Sequence, residues 1–447
     1  MAISNACRIY MGWTIVLGGI YLALACWWIS RWKRIRPADL STRLLIVLFL
    51  SRVAMAWCYG WIHQRYYTGF NDSWRYFHRA VELVSWWHRD SQGLSQYIRM
   101  RLDYLLYHDF FGVYHTFWQS SGNYVMMLLQ MLFNIFSGSS YYVNCIFFSV
   151  LTFPGWLRYM QLYRVTAGMS ARASLLWFHL PGIWFWFSGM HKDALLFLCL
   201  SLLGYHTHQL LEKGFTSSVK ATFRLSDGIW ILLSLIGILL LKNFLLLLVL
   251  PAWLAWVCSI YLNNKWPYLR QRFTRGWLFA YCLAGWLVIG LVLIWTFRLH
   301  PLQVVAERQQ AFYRVGVELG AHSVLPPIPL MSGWISVLKT LPHAWWRVLA
   351  LPNPSPLHPM LQISVQGNNL LFLVLLFTGI WIYGRTWPRV HPWLLFTCWL
   401  AVVYLLLMGY TVCIAGAMVR YRALAEFFLT APGIQALSKR YIKKNNI

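Results

Sequence analysis

The chain has 447 residues, of which 59% are hydrophobic, 18% aromatic and only 11% charged, and its mean hydropathy is +0.52. A soluble domain carries about twice that charged fraction, so the composition excludes an ordinary soluble globular protein. The 38 Lys and Arg against 12 Asp and Glu give a net charge of +26; in an apolar chain, basic cytoplasmic loops explain such a charge before nucleic acid does.

The nine cysteines are scattered, with no CxxC and no metal-ligand spacing, which argues against a disulfide framework and a zinc site. Glycine-rich phosphate loops are absent, so nucleotide hydrolysis is not the expected energy source. The first apolar run follows Arg8 and ends in Trp27, Trp28 and Trp32 without a small-residue cleavage site, the pattern of a retained helix.

Apolar runs of membrane-spanning length recur along the chain. The expected spans are 9–30, 43–63, 140–158, 173–190, 194–211, 228–241, 244–262, 276–297, 368–384, 392–413 and 418–437. The expected fold is therefore all-α: one polytopic transmembrane helical bundle over 1–447, with about 11 spans plus interfacial or re-entrant helices. Residues 124–137 are too short to cross and read as a surface or re-entrant helix, and 228–262 as two short helices around Lys242.

Orientation follows from the short loops. Arg31, Lys33, Arg34, Arg36 and Arg43 fill one, and Lys265, Arg270, Arg272 and Arg275 another, which assigns both to the cytoplasm. Alternation then places the tail Lys439, Arg440, Lys443 and Lys444 on the same side, and leaves two long outer segments, 64–139 and 299–367. In the first, Trp74, Phe77, Val81, Val84 and Trp87 recur at helical spacing, predicting an amphipathic helix at the membrane surface. In the second, Pro326, Pro327, Pro329, Pro352, Pro354, Pro356 and Pro359 predict irregular chain.

Basic residues that the cytoplasmic bias does not explain collect at the outer boundary, where four short segments from distant parts of the chain meet. Asp72 and Arg75 stand in Asn71-Asp72-Ser73-Trp74-Arg75-Tyr76, where Asp72 reads equally as a helix cap and as a base. His191, Lys192 and Asp193 lie in a tight turn between two spans, where charges are costly unless paired or functional. Lys242 interrupts an apolar stretch and either snorkels to the surface or serves a site. Arg420, Tyr421 and Arg422 open the last expected span, where two guanidiniums oppose the helix dipole and suit a phosphate ligand.

At Asp72 in NDSWRYFHRA, at Pro181 to Asp193 in PGIWFWFSGMHKDAL and at Arg420 to Arg422 in RYR, the sequence resembles the GT-C superfamily. These are polytopic glycosyltransferases that use polyprenyl-phosphate sugars, here of the bacterial envelope-polysaccharide type. The resemblance implies a GT-C-like bundle in the bacterial cytoplasmic membrane, with the active site facing the exterior and the C-terminus cytoplasmic. It also implies an inverting sugar transfer from the lipid-linked donor to a glycan, lipid or protein acceptor. Asp72 is the expected catalytic base, with Asp103 and Asp109 as its nearest competitors. Lys192, Arg420 and Arg422 are expected to hold the donor phosphate, with Lys242 and Arg75 as additions. Asp193 would orient Lys192, and His191 and Tyr421 would support the site. The first outer segment lacks an adjacent acidic pair, so the expected reaction needs neither metal nor cofactor, and its partners are the lipid-linked sugar, the acceptor and membrane lipid.

Three other readings fit the same pattern. An O-antigen polymerase or ligase would take a diphosphate-linked oligosaccharide. A lipid or polysaccharide transporter would place its ionisable groups nearer the mid-bilayer, where only Arg52 and Glu426 are expected. A structural subunit of an envelope complex would use the outer charges to bind protein.

Overall fold

The computed structural model describes residues 2–33, 35–66, 72–107, 116–216, 225–321, 323–330, 333–350, 359–384 and 387–445. In chain order its helices are α1 (Ala2–Ser30), α2 (Thr42–Tyr66), α3 (Asp72–Arg89), α4 (Ser91–Tyr107), α5 (Thr116–Ser137), α6 (Tyr141–Ala167), α7 (Ala171–Phe178), α8 (Pro181–Ser188), α9 (Lys192–Thr216), α10 (Leu225–Leu241), α11 (Asn243–Lys265), α12 (Pro267–Arg272), α13 (Arg275–Thr296), α14 (Pro301–Glu318), α15 (Trp334–Leu349), α16 (Pro359–Tyr383), α17 (Pro392–Thr411) and α18 (Ala415–Asn445). Among the described residues there is no strand, only an isolated bridge between Val324 and Ile414.

Among the described residues seven helices contain stretches long and apolar enough to cross a membrane: α1, α2, α9, α11, α13, α16 and α17. An eighth crossing is formed if α5 and α6 count as one broken span, bent by 115°. That corner is made by Gly138 and Ser139, both at φ +61°, a left-handed conformation that glycine adopts without steric cost. Asn144 Nδ2 donates to Asn134 Oδ1 across it at 2.7 Å.

Of the 11 expected spans, 140–158, 173–190, 228–241 and 418–437 are not among the seven; the first belongs to the bent pair. Residues 173–190 are two eight-residue helices, α7 and α8, because Pro181 lacks an N–H and disfavours helical backbone at Leu180. The stretch around Lys242 is, as expected, two helices separated at Lys242 itself, the 17-residue α10, which is shorter than a span, and the 23-residue α11. The last helix begins at Ala415 and runs for 31 residues, so Arg420 and Arg422 lie beyond its first turn. Their placement removes the argument from the helix dipole, which acts within the terminal turn.

The chain comprises two compact units. The first comprises Met1–Gln161, Trp184–His206 and Leu225–Leu246; the second comprises Leu162–Ile183, Thr207–Arg224 and Leu247–Ile447. In the first, α3 packs on α5, α4 and α2, and α5 also meets α10 and α1. The expected amphipathic helix is α3, whose buried stripe is Ser73, Tyr76, Phe77, Ala80, Leu83 and Val84. Its spacing of three and four residues is that of one helical face.

In the second unit α18 is central, packing on α16, α17 and α7. Close approach to α16 depends on Gly433, where a Cβ would stand 2.2 Å from the Leu375 carbonyl oxygen. Trp177 stacks on Phe427 with ring centroids 4.1 Å apart and donates its indole N–H to the Phe427 carbonyl at 2.9 Å. α17 packs on α15, α14 and α13 as well as α18.

Candidate functional site

The first unit gathers charged groups where α3, α5, α9 and the α10–α11 break meet. The first turn of α3 is clamped in place. Ser73, fully buried, shares a 2.7 Å hydrogen bond with the Tyr141 hydroxyl. Trp74 stacks on the Tyr141 ring at 3.9 Å and donates its indole N–H to the Gly60 carbonyl at 2.9 Å. Asp72 precedes this clamp, its side chain 28% exposed and paired with the open Arg75 at 3.3 Å. A carboxylate held by fixed backbone yet reachable from solvent can take a proton from an incoming hydroxyl.

One helical turn further, the Tyr76 hydroxyl donates to Asn123 Oδ1 at 2.6 Å. The same oxygen accepts from the Lys192 ammonium at 2.7 Å, and that ammonium lies 6.0 Å from the Tyr76 ring centroid. Gly122 makes the approach possible, since a Cβ there would fall 2.7 Å from Lys192 Cδ and 2.5 Å from the Leu241 carbonyl oxygen.

Asp193, expected to orient Lys192, holds Lys242. The ammonium lies 2.6 Å from Asp193 Oδ1, with side-chain exposures of 9% and 5%. Lys242 therefore does not simply snorkel; it turns inward to a carboxylate. The other carboxylate oxygen is 3.4 Å from His191 Nδ1, and that nitrogen is also 3.2 Å from the Asp193 backbone N–H, which donates to it. Gly189 packs beside Tyr59, where a Cβ would be 2.8 Å from the ring, and the Tyr59 and His191 rings lie 5.4 Å apart. Four expected residues thus fall in two adjacent sets of contacts, Lys192 with Tyr76 and Asn123, and Asp193 with His191 and Lys242. The sequence pattern gave no signal for Asn123, which closes a stretch of polar and small residues, Gln119 to Gly122, before an apolar run.

Arg420, Tyr421 and Arg422 belong to the second unit. Arg422, expected to hold phosphate, is fully buried and engaged with protein. Its Nε lies 2.5 Å from Glu426 Oε1, its Nη1 donates to the Val348 carbonyl at 3.0 Å, and its Nη2 donates to Asn369 Oδ1. Asn368 Nδ2 donates to the other Glu426 oxygen at 3.0 Å, while its own Oδ1 accepts from the Gly182 N–H at 2.9 Å. This arrangement joins α15, α16 and α18, so Arg422 acts as an internal tie. Arg420 is half-buried, its Nη2 donating to the Tyr421 hydroxyl at 3.0 Å.

Arg308 on α14 is also near Tyr421; burial lowers its pKa and Tyr421 opposes the shift. Burial likewise lowers the pKa of Arg347, against the raising influence of Cys413, and Arg347 donates to the Pro326 carbonyl and to His343 Nε2.

Arg52 is buried in the first unit, donating to Thr152 Oγ1 and to the Phe187 carbonyl, each at 2.7 Å, beneath the Trp156 ring. Asp109 lies outside the described residues, as do the prolines 352, 354 and 356; Asp103 falls on α4 with its side chain outside them. Among the described residues no group of three or more His, Cys, Asp or Glu side chains is placed to hold a metal ion. No family model, curated protein or solved structure matches the chain.

Proposed function

We propose that this chain is a polytopic membrane glycosyltransferase of the GT-C kind, transferring a sugar from a polyprenyl-phosphate donor to a glycan, lipid or protein acceptor at the outer face of the cytoplasmic membrane. The observations that carry the proposal are two contacts of the first unit, Lys192 on Asn123 and Lys242 on Asp193, with Asn123 also held by Tyr76, one turn of α3 from the partly exposed Asp72. Buried charges at the ends of apolar helices are costly and are retained where they serve a site. The two ammonium groups supply positive charge for a departing phosphate, and Asp72 supplies a base.

In the proposed reaction Asp72 accepts the proton of the acceptor hydroxyl. The acceptor oxygen bonds to the anomeric carbon as the bond from that carbon to the phosphate oxygen breaks. The polyprenyl phosphate leaves with the electron pair, Lys192 meets its charge, and a single displacement inverts the anomeric configuration. Asp193 holds Lys242 and shapes the helix break, while Asn123 and Tyr76 position Lys192. Arg75 steadies Asp72. The proposal rests on the first unit alone; Arg422 is a tie within the second.

The test uses the purified full chain in vesicles, supplied separately with a labelled polyprenyl-monophosphate sugar and a diphosphate-linked oligosaccharide. Transfer from the monophosphate donor is expected, with a loss of about 100-fold or more in Asp72→Asn and weakened donor retention in Lys192→Gln. Retained transfer in Asp72→Asn removes it as the base, and turnover of the diphosphate donor alone replaces this reading with the polymerase.

A further inference from the structure

The first unit contains a second feature that the proposed reaction does not use. A cavity of about 860 Å³ lies among α1, α5, α6, α9 and α10. Its walls are almost wholly apolar, including Tyr21, Trp28, Phe133, Phe147, Val150 and Leu202. It runs along α6 at least from Ile146 to Arg158, about 18 Å at the helical rise. The polar residues are concentrated at one end, with Arg158, His206 and Trp230. That end is remote from the Lys192 network, because His206 is about 21 Å along α9 from Lys192.

Arg158 is half-buried there; its Nη1 donates to Gln161 at 2.8 Å and its guanidinium lies 4.2 Å from the Tyr205 ring centroid. Gln161 in turn donates to the Ile35 carbonyl at 2.9 Å, bringing the loop after α1 to the same mouth. Trp32 and Ile35 line the cavity, and Arg31, Lys33 and Arg36 flank them in sequence. The nearby acid, Asp227, is engaged by His206 at 2.7 Å. Asp227 also acts on Arg158 electrostatically, so the cationic excess of the mouth comes from Arg31, Lys33 and Arg36 beside it in sequence, and the body is apolar.

We infer that this cavity holds one anionic phospholipid of the bilayer, an acyl chain between α1 and α6 and its phosphate at Arg158. The charge of the mouth selects the headgroup, since a guanidinium presents several donors to phosphate oxygens. The length and apolar walls suit an extended chain. The occupant is a resident lipid in the leaflet opposite the proposed transfer site, so the inference stands whether or not that reaction is correct.

The experiment incubates the purified full chain with mixed vesicles of equal phosphatidylglycerol and phosphatidylcholine, then counts retained lipids by native mass spectrometry. The wild-type chain is expected to retain one phosphatidylglycerol, preferred about tenfold, the ratio that about 1.4 kcal/mol produces. Arg158→Gln should bring the preference close to parity while Arg158→Lys keeps most of it. Val150→Trp, filling the middle of the cavity, should abolish retention; Leu24→Trp enters from its exposed wall and should do the same should the first variant not fold. No retained lipid in the wild-type chain, no headgroup preference, or unchanged retention in a folded Trp variant overturns the inference.

Discussion

The ion pair between Asp193 and Lys242 is the most exacting test of how the charged network is built. Both side chains are more than nine-tenths buried and 2.6 Å apart. Asp193→Asn leaves the Lys242 ammonium in the same place without its counter-charge, and Lys242→Met does the converse to the carboxylate. Breaking a buried pair from one side costs about 3–5 kcal/mol, whereas removing both charges is far milder. The Asp193→Asn/Lys242→Met double variant is therefore expected to recover about 2–3 kcal/mol relative to the sum of the single changes, well above the roughly 0.5 kcal/mol within which independent sites add. The assay is reversible denaturation of the purified chain in micelles by SDS titration, followed through tryptophan fluorescence, on all four members of the cycle. Additive single effects would refute the reasoning, for they would mean that neither group depends on the other.

Other expectations concern packing and pH. Gly122→Ala should cost about 1–3 kcal/mol as an overpacking change and should also weaken donor retention, because the new Cβ meets the Leu241 carbonyl and Lys192 together. Gly433→Ala should cost a similar amount in thermal unfolding by forcing α18 from α16, whereas Gly285→Ala, with nothing within 4 Å, should be neutral or stabilising by up to about 1 kcal/mol.

His391, the N-cap of α17, is held down from 6.5 to about 3 by burial and by the neighbouring His208 and Arg275 charges, and its neutral Nδ1 accepts from the Trp393 N–H. The unfolded chain then binds a proton that the folded chain does not, so this contribution is complete above pH 6.5. It should decline on acidification by up to about 1.4 kcal/mol per pH unit. His391→Ser, which keeps a capping oxygen, should flatten that slope in unfolding measured between pH 7 and 5.

Much of the helical framework is legible from the residues in order. Apolar run length marks α1, α2, α9, α11, α13, α16 and α17 as helices long enough to cross a membrane, and the three-and-four spacing of α3 marks it as a helix, because composition and periodicity are local properties; of the expected stripe only Phe77 and Val84 are buried, and Trp87 is exposed. The tight turn at His191 to Asp193 and the interruption at Lys242 are legible for the same reason: charge stands out against hydrocarbon. Local pattern is less informative where a proline divides a run, as at Pro181, or where a helix begins within small apolar residues, as at Ala415.

Only the tertiary structure decides the partners. Asp193 and Lys242 are 49 residues apart in the chain, and no spacing rule links them; the packing of α10 beside α5 and the break before α11 bring the ammonium to the carboxylate. Asn123 becomes a site residue only because Gly122 lets α5 approach Leu241 and Lys192. Arg420 and Arg422 look alike in sequence, yet Arg422 points into the junction of α15, α16 and α18, where Glu426 and Asn369 hold it. Burial and hydrogen-bond partners, which depend on how helices pack, separate the structural guanidinium from its neighbour. The sequence determined where charge interrupts the apolar chain, and the fold determined what each charge meets.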